Sequence, residues 1–102
     1  MAETDTRVAR NTARNRYEIF VGETVAGYTL AIPDADTGRT VLPHTVIDPA
    51  FRGRGLSGVL IGGALADLAA SGETVVPDCP SVAKYLHENE VEGLSVAERR
   101  AP

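Results

Sequence analysis

Three places in the chain bring together residue types that can do chemistry. The first is the run Arg52-Gly53-Arg54-Gly55-Leu56-Ser57-Gly58. Glycines free the backbone there, two guanidiniums flank it, and an apolar helical pattern starts at once behind it. The first amides of a helix have no partners, and the macrodipole adds about half a positive charge beside them. The expected ligand is therefore an anion, a diphosphate on residues 52–58. The second place is Cys79, the single cysteine, directly before Pro80. Proline is favoured at the first position of a helix, so Cys79 falls at the N-cap, where the helix end favours the thiolate and lowers the thiol pKa. Packing as a small buried residue is the other role open to it. The third is His44. An imidazole changes charge near neutrality and suits a general base for an ammonium group, while a half-buried strand histidine bonded to backbone accounts for it as well. Tyr85 reads as an aromatic covering the core and His87 as surface. No group of His, Cys and carboxylates has metal-ligand spacing, so no metal is expected.

The elements that must position these residues follow from periodicity. Residues 15–21 alternate, with Tyr17, Ile19 and Val21 on one face, and read as a strand. Gly22-Glu23 is a two-residue hairpin turn leading into a returning strand over 24–32. The segment PDADTG, residues 33–38, is a loop. A third strand over 39–47 completes an antiparallel meander. Pro43 lies inside it and cannot donate to a ladder, so it marks an edge or a bulge. A break there would free the backbone of residues 45–47. A helix over about 55–70 follows, apolar over most of its girth, with Asp67 its only charge. Such a helix is contacted on several sides. Gly58, Gly62 and Gly63 are costly in a helix, roughly 1 kcal/mol each against alanine, and close approach of another chain explains them. Gly72 supplies the stop. Residues 73–76 form a strand parallel to the third if the helix is its crossover, and a short helix runs from Pro80 to about His87. Residues 1–14 read as a flexible tail, 15–90 as a single domain, and 91–102 as a second tail, with a short strand around Leu94 as the alternative.

Composition narrows the function classes. A chain of 102 residues makes one domain. A net charge of −4 argues against a general nucleic-acid binder. No apolar run approaches the ~20 residues of a membrane span, the first residues lack the apolar core of a signal peptide, and one cysteine excludes an internal disulfide. A cytoplasmic protein without a membrane partner is expected. Asp78, Glu88, Glu90 and Glu92 gather late in the chain, as a solvated surface or as a patch for a cationic amine. The turn itself is not a P-loop, because no GK[ST] follows. Nor is it a dinucleotide fingerprint, which needs a third glycine and a βαβ start. Taken alone, it serves helix-on-sheet packing as readily as anion binding.

The wider stretch VIDPAFRGRGLSGVLI resembles the acetyl-CoA-binding motif of GNAT superfamily N-acetyltransferases: a strand ending in V-x-P-x-[FY], then [RQ]-x-x-G-x-[GA], then an apolar helix. Arg52 takes the [RQ] place and Gly55 the central glycine. Ser57 stands where the motif has Gly or Ala. The small single-domain YjdJ-type branch is more similar still, through His44-Thr45-Val46, Arg52-Gly53-Arg54-Gly55 and Val76-Pro77-Asp78-Cys79-Pro80 in that order. The resemblance covers about residues 15–90. It implies an α/β fold with a mixed sheet, in which a meander is followed by a central helix crossover to a parallel strand and a short C-terminal helix. It also implies acetyl-CoA as co-substrate and an amine acceptor, either a small amine or a protein lysine or N-terminus. A non-catalytic acyl-CoA-binding module and a purely structural domain are the rival readings. The resemblance assigns the pyrophosphate to the amides of Arg54, Gly55, Leu56 and Ser57, within a turn that includes Arg52, Gly53 and Gly58. The backbone of Val46 and Ile47 is assigned to the pantetheine arm. Cys79 is placed beside the acetyl group, to protonate the leaving thiolate or to carry the acetyl covalently. The H-T-x-V block adds weight to His44.

Overall fold

A computed structural model of the chain describes residues 5–97. The outer ends of the two expected tails, 1–4 and 98–102, lie outside the described residues. In chain order the elements are β1 (Thr6–Asn11), β2 (Arg16–Val21), β3 (Thr24–Leu30), β4 (Ile32–Pro33), β5 (Thr40–Val41), β6 (Thr45–Ile47), α1 (Leu56–Ala70), β7 (Thr74–Val76), α2 (Pro80–Glu88) and β8 (Ser95–Val96). Two four-stranded sheets result, ordered β1-β2-β3-β6 and β4-β5-β7-β8. The first is antiparallel throughout. In the second, β4 and β5 are antiparallel, while β5, β7 and β8 run parallel. The architecture is mixed α/β.

The expected third strand is two strands. Up to Leu42 the chain stays with the second sheet: the Leu42 amide donates to Val76 O at 2.9 Å, and the Cys79 amide donates to Leu42 O at 2.8 Å. Pro43 then has no N–H to offer, and the chain swings across to pair with β3 instead, Tyr28 opposite Val46. The returning strand breaks the same way, ending at Leu30 before the short β4. A gap therefore opens along the edge of β6, toward the turn before α1 and the start of α2.

Helix α1 packs on β1, β2, β3, β6, β7 and α2. Leu56, Leu60, Ile61, Leu65 and Leu68 are buried on it, against Tyr17, Ile19, Leu42, Val75 and Val82. Each such side chain contributes about 1.5–3 kcal/mol on burial, which outweighs the roughly 1 kcal/mol cost of each internal glycine. Two of those glycines lie where another element approaches closely. A Cβ on Gly62 would lie 2.6 Å from the Tyr85 hydroxyl, and one on Gly63 would lie 3.1 Å from Val8 Cβ. Gly58 is different: a Cβ there meets nothing within 4 Å, so close packing does not explain it. At the C-terminus Gly72 adopts φ +74°. Its amide bonds Ala69 O, and the Glu73 amide bonds Leu68 O at 3.0 Å, the double closure of a Schellman motif.

Both terminal stretches contribute strands where tails were expected. Residues 6–11 form β1, paired in full register with β2. Its local pattern hides this, because its charged residues are satisfied by distant partners: Arg7 lies 4.1 Å over the Phe20 ring, and Arg10 reaches Glu73. Residues 95–96 form β8, whose Ser95 and Val96 are exposed, so no hydrophobic alternation announces it.

Candidate functional site

The gap beside β6 is a cleft of about 590 Å³, within the ~300–1,000 Å³ range of small-molecule sites. His44, Thr45, Val46 and Ile47 form one wall. The turn forms the other through Arg52, Gly53, Gly55, Leu56 and Ser57, and Ser81 of α2 closes one side. Most of the residues singled out by their chemistry thus meet in one place. Arg54 and Gly58 do not line this cleft. The Arg54 guanidinium lies 5.2 Å over the Phe51 ring, and Gly58 faces a neighbouring depression with Lys84 and Tyr85.

The turn presents bare amides. Asp48 accepts from the Ala50 amide at 2.9 Å and starts a single 3-10 turn over Pro49–Phe51. Gly53 and Gly55 then take φ +81° and +74°, the left-handed region that side chains resist. Gly55 is the N-cap of α1 and has no side chain to cap it. The first amides of α1 are left without intrahelical partners at the cleft wall, together with the positive end of a 15-residue dipole. Arg52 fastens this corner to β6, its Nε donating to Ile47 O at 3.1 Å.

The register of β6 decides which backbone groups face the cleft. The Asp48 amide donates to Ala26 O, and the Leu30 amide donates to His44 O. Hydrogen-bonded pairs alternate along an antiparallel ladder, so Tyr28 and Val46 form the bonded pair between them. Val46 therefore spends its N–H and C=O on β3. This corrects the expectation that Val46 offers free backbone. The outward groups belong to Thr45 and Ile47, on a sheet edge that no strand covers among the described residues, and of these the Ile47 carbonyl already accepts from Arg52.

Cys79 is the N-cap of α2, as its place before Pro80 predicts, and it is only 4% exposed. It stands behind the cleft wall: its Sγ is 3.3 Å from Thr45 Oγ1, and Thr45 lines the cleft. Burial alone would raise the thiol pKa. The bonded Thr45 hydroxyl, with the nearby Val82 and Ser81 amides and Ser81 hydroxyl, outweighs it, and the thiol titrates below its ordinary range. His44 is exposed at the rim. The Tyr85 hydroxyl points at Gly62 of α1, consistent with an aromatic covering the core. Among the described residues no three His, Cys, Asp or Glu side chains are placed to hold a metal ion, and no helix is long and apolar enough to cross a membrane.

The family model for GCN5-related N-acetyl-transferase matches residues 16–94. The chain belongs to this family. Similar solved structures include the ribosomal-protein-alanine N-acetyltransferase from Brucella melitensis biovar Abortus 2308, 16% identical, with a TM-score of 0.49 over 85% of this chain. The chain spans 64% of that protein's length. None of the curated proteins matches it. The matched segment of this GCN5-related domain begins at β2 and reaches Leu94, so β1 lies outside it. Sequence reasoning missed Ser81 as a cleft residue and, although it singled out the backbone of residues 45–47, missed the Thr45 side chain. Thr45 stood inside a noted block, but nothing in its spacing showed that its hydroxyl would meet the cysteine.

Proposed function

We propose that this domain transfers an acetyl group from acetyl-CoA to an amine and is a minimal, YjdJ-type member of its family. One observation carries the reading: an uncapped helix N-terminus and an unpaired strand edge form the two walls of a single cleft. The residues fit the co-substrate. The amides around Gly55, Leu56 and Ser57, with Arg52 beside them, suit linked phosphates. The outward backbone of Thr45 and the amide of Ile47 suit an amide-bearing arm laid along the edge as an extra strand.

Acetyl-CoA supplies the acetyl group as an activated thioester. An outward β6 amide serves as donor to the carbonyl oxygen where negative charge develops. His44, at the rim, accepts the proton that the amine loses as its bond to the carbonyl carbon forms. Cys79 supplies the proton for the departing sulfur through Thr45: the Thr45 hydroxyl gives its own proton to that sulfur as the carbon–sulfur bond breaks and takes the thiol proton in its place. A thiol stronger than an ordinary one gives its proton to an ordinary thiolate downhill, and solvent then restores both groups. Burial of Sγ behind Thr45 favours this role over covalent carriage of the acetyl. The rest of the catalysis is positioning. The test is release of free CoA from acetyl-CoA across a panel of small amines, lysine peptides and peptides with free N-termini. Amine-dependent release supports the proposal. Tight CoA binding with no release for any acceptor would make the domain an acyl-CoA-binding module.

A further inference from the structure

Behind the cleft wall lies a short chain of hydroxyls. Thr45 Oγ1 is 3.3 Å from Cys79 Sγ and 2.8 Å from Thr29 Oγ1. Thr29 is fully buried, and its hydroxyl also reaches His44 O at 3.4 Å. Each hydroxyl has one proton to donate and can accept others, so the chain has two complete arrangements. In one, Thr29 donates to His44 O, Thr45 to Thr29, and the Cys79 thiol to Thr45. In the other, the two side-chain bonds reverse and the bond to His44 O is given up: Thr29 donates to Thr45, and Thr45 donates to a Cys79 thiolate. His44 O then loses only its weakest partner, since it keeps the Leu30 amide at 2.9 Å. The first arrangement suits the thiol and the second the thiolate, with no buried polar atom abandoned in either.

From this geometry we infer that Thr45 is a positioning residue for Cys79: it fixes the sulfur against the back of the cleft wall and holds both protonation states. The inference rests on the acetyl-transfer reading of Cys79. Beside burial, the groups of β6 and α2 that act most on the Cys79 titration are the Thr45 and Ser81 hydroxyls and the Ser81 and Val82 amides. The titratable neighbours along the two strands of chain are Asp78, one residue before Cys79, and His44, one residue before Thr45.

Cys79 is the only cysteine, so protein labelled with 13C at cysteine Cβ gives one resonance whose shift follows thiol ionisation without any reagent reaching the buried sulfur. The titration midpoint should move to higher pH in Thr45→Val, because the thiolate loses its donor from β6. It should stay near the wild-type position in Thr45→Ser, which keeps the hydroxyl. If Thr45→Val yields an unfolded spectrum, Thr45→Ala carries the same expectation. An unchanged midpoint in the variant lacking the hydroxyl overturns the inference, as does an equal shift in Thr45→Ser. Thermal stabilisation by CoA, measured on the same samples, separates the failures. An unmoved midpoint with CoA binding intact removes only the role of Thr45, whereas no CoA binding by the wild type removes the reading beneath it.

Discussion

Cys79 is held by hydrogen bonds that favour its thiolate against the opposing effect of burial. If it acts as an acid, the working form is the thiol, and turnover should fall as pH rises through a midpoint below that of an ordinary cysteine. Cys79→Ala should lower kcat and remove this alkaline limb while leaving CoA affinity near normal; a pH–rate profile checks both, and an unaltered limb would assign the titration to another group. Tyr17 offers a contrast, since its tie is to stability alone. Its hydroxyl donates to Asp67 Oδ2 at 2.6 Å, and burial, reinforced by that bond, raises its pKa. Tyr17→Phe should cost about 1–3 kcal/mol in urea unfolding, with no change in acetyl transfer. The position of Cys79 was legible, because proline placed it at a helix start. Its partner was not: Thr45 lies 34 residues away, and only the splay of two strands brings them together.

At the scale of elements, the glycines of α1 separate two roles that look alike in sequence. Gly62 has the Tyr85 hydroxyl where a Cβ would go, so Gly62→Ala should push α2 outward and lower the melting temperature. Gly58 meets nothing, so Gly58→Ala should raise stability by roughly 0.5–1 kcal/mol through lower backbone freedom of the unfolded chain. Opposite signs in thermal melts are expected; equal signs would mean that the packing around α1 differs from that described. The elements themselves were largely legible. Pro43 announced the break that frees the β6 edge, and Gly72 the end of α1. Strand β1 was hidden, because an inward Arg10 satisfied by a glutamate 63 residues away looks locally like a polar tail. The assignment of free backbone to Val46 failed for a related reason. Which strand residues face a gap depends on the pairing register, and that is set by where β6 joins β3.

In the whole molecule, two sheets that part at the cleft are tied together at the far side. Arg10 of β1 grips Glu73 through two bonds of 2.7 and 3.1 Å, and Thr40 of β5 donates to the same carboxylate at 2.7 Å. The Arg10 bond, the largest influence, outweighs the opposing effect of burial and, helped to a lesser degree by the Thr40 bond, holds the Glu73 carboxyl below its usual range. A depressed carboxyl contributes stability at pH values above its unfolded value of 4.5 and loses it as pH falls through the folded one. Glu73→Gln should therefore flatten the acid limb of the stability curve; for a partly exposed pair the loss is about 1 kcal/mol, read by denaturant unfolding between pH 3 and 7. What the whole molecule does rests on the cleft that these ties leave open. The most direct measurement is the thermal stability of the full chain titrated with CoA. The account predicts a rising, saturable melting temperature, worth about 2.7 kcal/mol at 100 times the dissociation constant, and a much weaker response when a side chain at Gly55 distorts the left-handed cap. A melting temperature that stays flat to millimolar CoA would contradict it.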